Sequence, residues 1–345
     1  MKFVKKVLDD LDHCYAVGSI LFNGRRKLLF AAENDGPCYA YDEQTGEKVV
    51  VWEHPGGTMS MIPIPDTNGE FLAVQGFRSG FMAQGTSLAW VVPKEEGPWQ
   101  VKTVLVHPFI HRFDILSAGG VNYLLLCTLA TSKKDKEDWS DPGKLWVAEL
   151  PKDLNQPIYP EIIAENMLKN HGYCRVNWNG KMAGLTTCAN GLFVVTPPQQ
   201  KGEKWSIEKL IDRPISDVAA VDIDGDGELE LATIEPFHGN QFVINKKTEK
   251  GYEVVYRYPN EMDFGHVVWG GTLCGTPCFI GGVRRKNKEL FCIRSAKAET
   301  PCFTTEIIEA GQGPSNVAVL NEQEKDVILA ANREAAQAAL YTVTD

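Results

Sequence analysis

Residues 14–32 read CYAVGSILFNGRRKLLFAA, two apolar runs on either side of Asn23-Gly24. Asn and Gly both tolerate the positive φ that a two-residue hairpin turn demands. The pair between such runs is therefore a strong local sign of an antiparallel hairpin. The pattern returns along the chain. Residues 59–64 lead through Asn68-Gly69 to 70–75, and residues 173–178 through Asn179-Gly180 to 181–187. Residues 113–116, 218–223, 267–273 and 316–320 open four more hairpins across Gly-containing or polar turns.

Each hairpin is followed by a third apolar run and a more polar fourth, as at 38–42 and 48–52 in the first set. The sets recur about every 45–50 residues, the spacing of propeller blades. The seventh set reaches its third run at 338–343 and has no fourth before Asp345. Residues 2–8, at the other end, supply a suitable strand. The pattern predicts an all-β, seven-bladed β-propeller with four antiparallel strands per blade. Its N-terminal strand closes the last blade and removes an exposed edge. One domain is expected over residues 1–345. Helical periodicity is absent, and the alanine-rich stretch at 334–339 reads as a loop.

The 31 Gly and 19 Pro are scattered, as expected for many short strands joined by turns. A net charge of −10 argues against nucleic acid or an anionic membrane as partner, since both require basic patches. No apolar run follows Met1-Lys2-Phe3-Val4-Lys5-Lys6, so neither a signal peptide nor a spanning segment is expected, and the reading is cytoplasmic. The nine cysteines form no CxxC pair. Cys127, Cys188, Cys278 and Cys292 fall within apolar runs and read as buried free thiols.

Residues 222–230 read DIDGDGELE and place Asp222, Asp224 and Asp226 at alternate positions, with Glu230 as a closing acid. Such spacing gathers several oxygens around one point, as a hard cation requires, and a structural Ca²⁺ is expected there. The alternative is a metal-free turn whose acids cap backbone amides. The surrounding VAAVDIDGDGELELATI at 218–234 resembles the FG-GAP or VCBS repeats of β-propellers, whose motif lies on the hairpin between the first and second strands of a blade. Asp66-Thr67-Asn68-Gly69 is a degenerate form. The resemblance implies a fold and a structural ion rather than a chemistry. It also places the turn on the face opposite the histidines.

Of seven histidines, His13, His111, His171 and His266 fall just before the first strands of blades one, three, four and six. His238 falls in the loop between second and third strands of blade five. In a propeller these loops share one face and surround the central channel. Imidazole binds Zn²⁺, Mn²⁺ or Fe²⁺ and shuttles protons near neutral pH. His111, His171, His238 and His266 are the expected ligands at the channel mouth, for Mn, Zn, Fe or Mg. The alternative is a ring of histidines bonded to backbone and water. His13, Glu235, Arg78 and Arg333 are candidate catalytic residues, the arginines suiting carboxylates or phosphates. Phe77, Phe81 and Phe237 could form a stacking wall.

This set suggests a carbohydrate lyase, dehydratase or isomerase. The metal would polarise a carbonyl or carboxylate, and a histidine or glutamate would take the acidified proton. In architecture and histidine-lined mouth the chain resembles oligogalacturonate lyases and the propeller of aldos-2-ulose dehydratases, the latter also through EPFHGN at 235–240. The expected ligand is a small carbohydrate or sugar acid. The competing reading is a non-catalytic propeller binding a glycan or protein. A lactonase-type hydrolase is less favoured, because no nucleophile elbow is present.

Overall fold

The computed structural model describes residues 1–200, 202–296 and 302–345. It is a seven-bladed β-propeller of seven four-stranded antiparallel sheets. The Asn-Gly turns adopt the expected left-handed pair, with φ of 51° and 72° at Asn23-Gly24 and 51° and 76° at Asn179-Gly180.

The chain divides into two compact units. One comprises Met1–Cys14, Ala189–Phe193 and Lys209–Asp345. It holds the fifth blade, Asp217–Val221, Glu230–Glu235, Gln241–Thr248 and Gly251–Arg257. The sixth blade begins with Asp263–Leu273 and Thr276–Arg285. The last blade pairs Asn316–Asn321, Asp326–Asn332 and Gln337–Thr344 with Lys2–Asp10, the strand expected to close it. The closing register runs from Lys2 opposite Thr344 to Asp10 opposite Gln337. Phe3 packs against a core containing Ile328, Tyr341 and Val343, and Lys5 pairs with Glu309.

Burial explains the composition of each strand. The second strand of the fifth blade, ELATIE, is buried throughout, while its fourth, GYEVVYR, alternates exposed and half-buried residues. A strand covered on both faces must be apolar or fully paired, whereas an outer strand can alternate. Between the fifth and sixth blades Phe291 stacks on Tyr258 at 3.8 Å and meets Phe242 edge-on at 5.2 Å. Each such buried ring contributes about 1.5–3 kcal/mol by leaving water.

The other unit comprises Tyr15–Cys188 and Val194–Glu208. Its first blade is Cys14–Phe22, Arg25–Ala32, Cys38–Asp42 and Lys48–Trp52. The first strand of the second blade is only Met61–Pro63, shorter than expected. Pro63 and Pro65 lack the N–H that a longer ladder would use. The third blade opens with Ile110–Ala118 and Val121–Thr128. The alanine-rich stretch is a short 3₁₀ turn at Arg333–Ala335 leading into the last strand, not a loop throughout. None of the nine cysteines is in a disulfide, and Cys127, Cys188, Cys278 and Cys292 are buried. Burial pushes the Cys127 thiol up to about 12. Among the described residues no helix is long and apolar enough to cross a membrane.

Candidate functional site

His111 and His266 lie inside strands, not before them. The ladder shifts between Ile110 and Arg112, and again between Gly265 and Val267. Each histidine is therefore the extra residue of a β-bulge, which bends the strand and re-aims a side chain. A left-handed residue precedes each by two positions: Phe109 at φ 60° and Phe264 at φ 64°. His171, which does precede its strand, has Lys169 at φ 56° in the same place. Such backbone is uncommon for residues other than glycine.

In the unit containing Tyr15–Cys188, His111 and His171 are buried, with ring centroids 4.2 Å apart. The Nδ1 of His111 lies 3.0 Å from the His171 carbonyl oxygen. Phe77, buried, packs edge-on against His111 at 5.2 Å. Arg78, next in sequence, is exposed. Phe81 meets the Trp139 ring at 5.5 Å.

In the unit containing Lys209–Asp345, His238 occupies the connection between Glu230–Glu235 and Gln241–Thr248 at φ 45°. Its backbone N–H donates to Ser216 Oγ at 3.0 Å. Its ring lies between Phe237 and Phe264, both at 4.3 Å, and 5.4 Å from His266. His266 is buried, with Nδ1 2.5 Å from the Ser315 carbonyl oxygen. A carbonyl only accepts, so these contacts put the proton of a neutral His111 and His266 on Nδ1, which makes Nε2 the unprotonated nitrogen of each ring.

The Arg284 and Arg285 guanidiniums stack on Phe264 at 4.8 and 4.5 Å. Glu334 accepts from Arg284 at 2.7 Å and from Arg333 at 3.0 Å. Burial alone would raise the Glu334 carboxyl, but these two guanidiniums hold it below its ordinary value.

Glu235 is differently placed from a free base. Its two oxygens receive Arg213 Nε and Nη2, each at 2.8 Å, and Thr233 Oγ1 donates to it at 2.6 Å. A carboxylate so engaged is a counter-ion first. His13 is partly exposed, its Nδ1 3.0 Å from Asp12. Neither the bulges nor the Arg213 and Ser315 partners were anticipated. The local signal for the bulges was the shared Phe-x-His of Phe109-Ile110-His111 and Phe264-Gly265-His266.

The acidic turn joins the first and second strands of the fifth blade, and His238 joins the second and third, so the two lie at opposite ends of that sheet. Asp222, Asp224 and Asp226 each offer an oxygen within 4.8 Å of the others.

Structural likeness is confined to fold. No family model matches the chain, and no curated protein matches it in sequence. The likeness to FG-GAP or VCBS repeats thus rests on residues 218–234. Solved propellers match at low identity. The Cps50 (Swd1) β-propeller domain of Myceliophteria thermophila is 10% identical with a TM-score of 0.62, covering 99% of this chain and 100% of that one. A proposed 6-phosphogluconolactonase from Bacteroides uniformis is 12% identical with a TM-score of 0.57, covering 87% and 85%. The PQQ-bound aldose sugar dehydrogenase of Streptomyces coelicolor is 14% identical with a TM-score of 0.51, covering 99% and 98%.

Proposed function

We propose that this chain is a metal-dependent carbohydrate lyase, dehydratase or isomerase whose metal is held by histidine. One observation carries the reading: His171, His238 and His266 each offer a ring nitrogen as a candidate metal ligand. This set could hold a metal ion. Neutral imidazoles suit Zn, Mn or Fe better than Mg, which prefers oxygen. Three protein ligands leave coordination positions for a substrate oxygen, whose polarisation would acidify the adjacent C–H. Arg284, Arg333 and Glu334 offer a polar cluster for hydroxyls or a carboxylate. Two of the similar folds carry names from sugar chemistry, a dehydrogenase and a lactonase, which supports a small carbohydrate or sugar acid as ligand.

The Glu235–Arg213 pair favours a second reading. With that carboxylate neutralised and His13 tied to Asp12, the candidate bases are engaged, as a non-catalytic glycan-binding propeller would permit.

Elemental analysis of the purified protein, with His171→Ala, His238→Ala and His266→Ala beside it, separates the readings. We expect about one transition metal per chain, reduced in each variant. Metal-loaded protein should convert one member of a panel of sugars and sugar acids to an unsaturated or isomerised product. Saturable sugar binding without turnover supports the second reading, and full metal content in all three variants overturns the histidine centre.

A further inference from the structure

The likeness of residues 218–234 to FG-GAP or VCBS repeats implies Ca²⁺ in the acidic turn, and the donor set does not fit that ion. We infer that the ammonium of Lys246 is the resident cation of this turn and excludes a divalent ion from it.

Lys246 lies on the third strand of the fifth blade, Gln241–Thr248. An ammonium has three N–H donors. Those of Lys246 go to three different carboxylates: Asp224 Oδ2 at 2.5 Å, Asp226 Oδ2 at 2.8 Å and Glu230 Oε1 at 2.9 Å. Glu230 has a fully buried side chain, so its charge requires a partner inside the fold. Its other oxygen accepts from the Ile223 amide at 3.0 Å. Asp222 spends both oxygens on backbone, accepting from Gly225 at 2.7 Å, Asp226 at 3.1 Å and Gly227 at 2.9 Å. Asp226 Oδ1 takes the Glu228 amide at 2.9 Å.

Ca²⁺ requires six to eight oxygens at about 2.3–2.6 Å. Among the carboxylate oxygens of these four acids only Asp224 Oδ1 has no such bond. An ion drawing on Asp224 Oδ2, Asp226 Oδ2 and Glu230 Oε1 would have to displace the ammonium that already bridges them or sit beside it, cation against cation. Burial alone would lower the Lys246 ammonium, but the three carboxylates reverse this and hold it well above the ordinary lysine value. It therefore stays charged at neutral pH. The turn keeps the acid spacing of an ion site and meets its charge from within the chain.

The test is a Ca²⁺ titration of the full chain by calorimetry, with thermal melting in Ca²⁺ or EDTA, on wild type, Lys246→Met and Lys246→Gln. Wild-type melting should be indifferent to both additives. Each variant should melt lower in EDTA, regain stability with Ca²⁺, and bind Ca²⁺ at least about tenfold tighter than wild type. Stoichiometric Ca²⁺ uptake with a rise in wild-type melting temperature overturns the inference, and that arm needs no variant to fold. Variants that fold and ignore Ca²⁺ also overturn it, because lysine would then not be what excludes the ion. Neither result bears on the histidine centre, at the other end of the sheet.

Discussion

His111 reaches the backbone of His171: its Nδ1 lies 3.0 Å from the His171 carbonyl oxygen. The bond fixes one imidazole and ties it to the residue that the proposed metal site uses. His111→Phe keeps a ring beside Phe77 and removes the donor. We expect a loss of about 1 kcal/mol in a urea titration, the net worth of one such bond. His111 is outside the proposed ligand set, so metal content should remain at the wild-type level. Loss of metal in this variant would make His111 a ligand.

Glu235 and Arg213 should behave as an ion pair. Glu235→Gln is expected to lower stability by about 1.5–3 kcal/mol, the worth of charged hydrogen bonds. Pairing it with Arg213→Met should recover part of that loss, since the guanidinium no longer lacks its counter-ion. A Glu235→Gln protein with wild-type stability and no turnover would return this carboxylate to the role of general base.

Deleting residues 2–8 should destabilise the last blade rather than trim a tail. The ladder pairs from Lys2 to Val7 are lost, together with the Phe3 packing and the Lys5–Glu309 pair. At about 0.5–1.5 kcal/mol per ladder bond, we expect a loss on the order of 5 kcal/mol or more, measured by urea unfolding. Unchanged stability would contradict the closure.

Asp42 should set part of the acid limit of stability. It is buried, and the Thr45 amide and Lys27 ammonium hold its carboxyl well below the usual value. A depressed carboxyl stabilises the fold above its unfolded pKa, about 3.9. That contribution is lost as pH falls from there toward the folded value. Asp42→Asn should therefore narrow the difference in urea midpoint between pH 6 and pH 3, and parallel profiles for the two proteins would refute this.

Gly143 leaves no room for a side chain. A Cβ there would stand 1.7 Å from the Thr128 carbonyl oxygen, a backbone atom that cannot rotate aside. Gly143→Ala should cost at least about 3 kcal/mol, beyond ordinary overpacking, or prevent folding. A variant with wild-type melting would show that the third blade yields.

The blade architecture was legible because its signals are local. Asn23-Gly24 and Asn179-Gly180 announce their turns within two residues, and burial of second strands shows directly as apolar runs. The seven-set count and the terminal strand followed from repetition. The setting of the histidines was not legible in the same way. Bulges at His111 and His266 depend on how two strands align, and neither Ile110 nor Gly265 carries a distinctive composition. The Arg213–Glu235 pair joins residues 22 positions apart, and nothing local couples them. Lys246, too, follows an unremarkable strand pattern, so its ammonium among the turn acids becomes visible only once the hairpin is folded.

Closure of the last blade also imposes a timetable. Lys5 meets Glu309 across 304 positions of chain. During synthesis the strand Lys2–Asp10 emerges long before its ladder partner Gln337–Thr344. Contacts of such separation form slowly. Until then the nascent protein carries a strand with no ladder to join, open to pairing with neighbouring chains. Lys2, Lys5 and Lys6, spaced along that strand, place like charges on an edge that must wait.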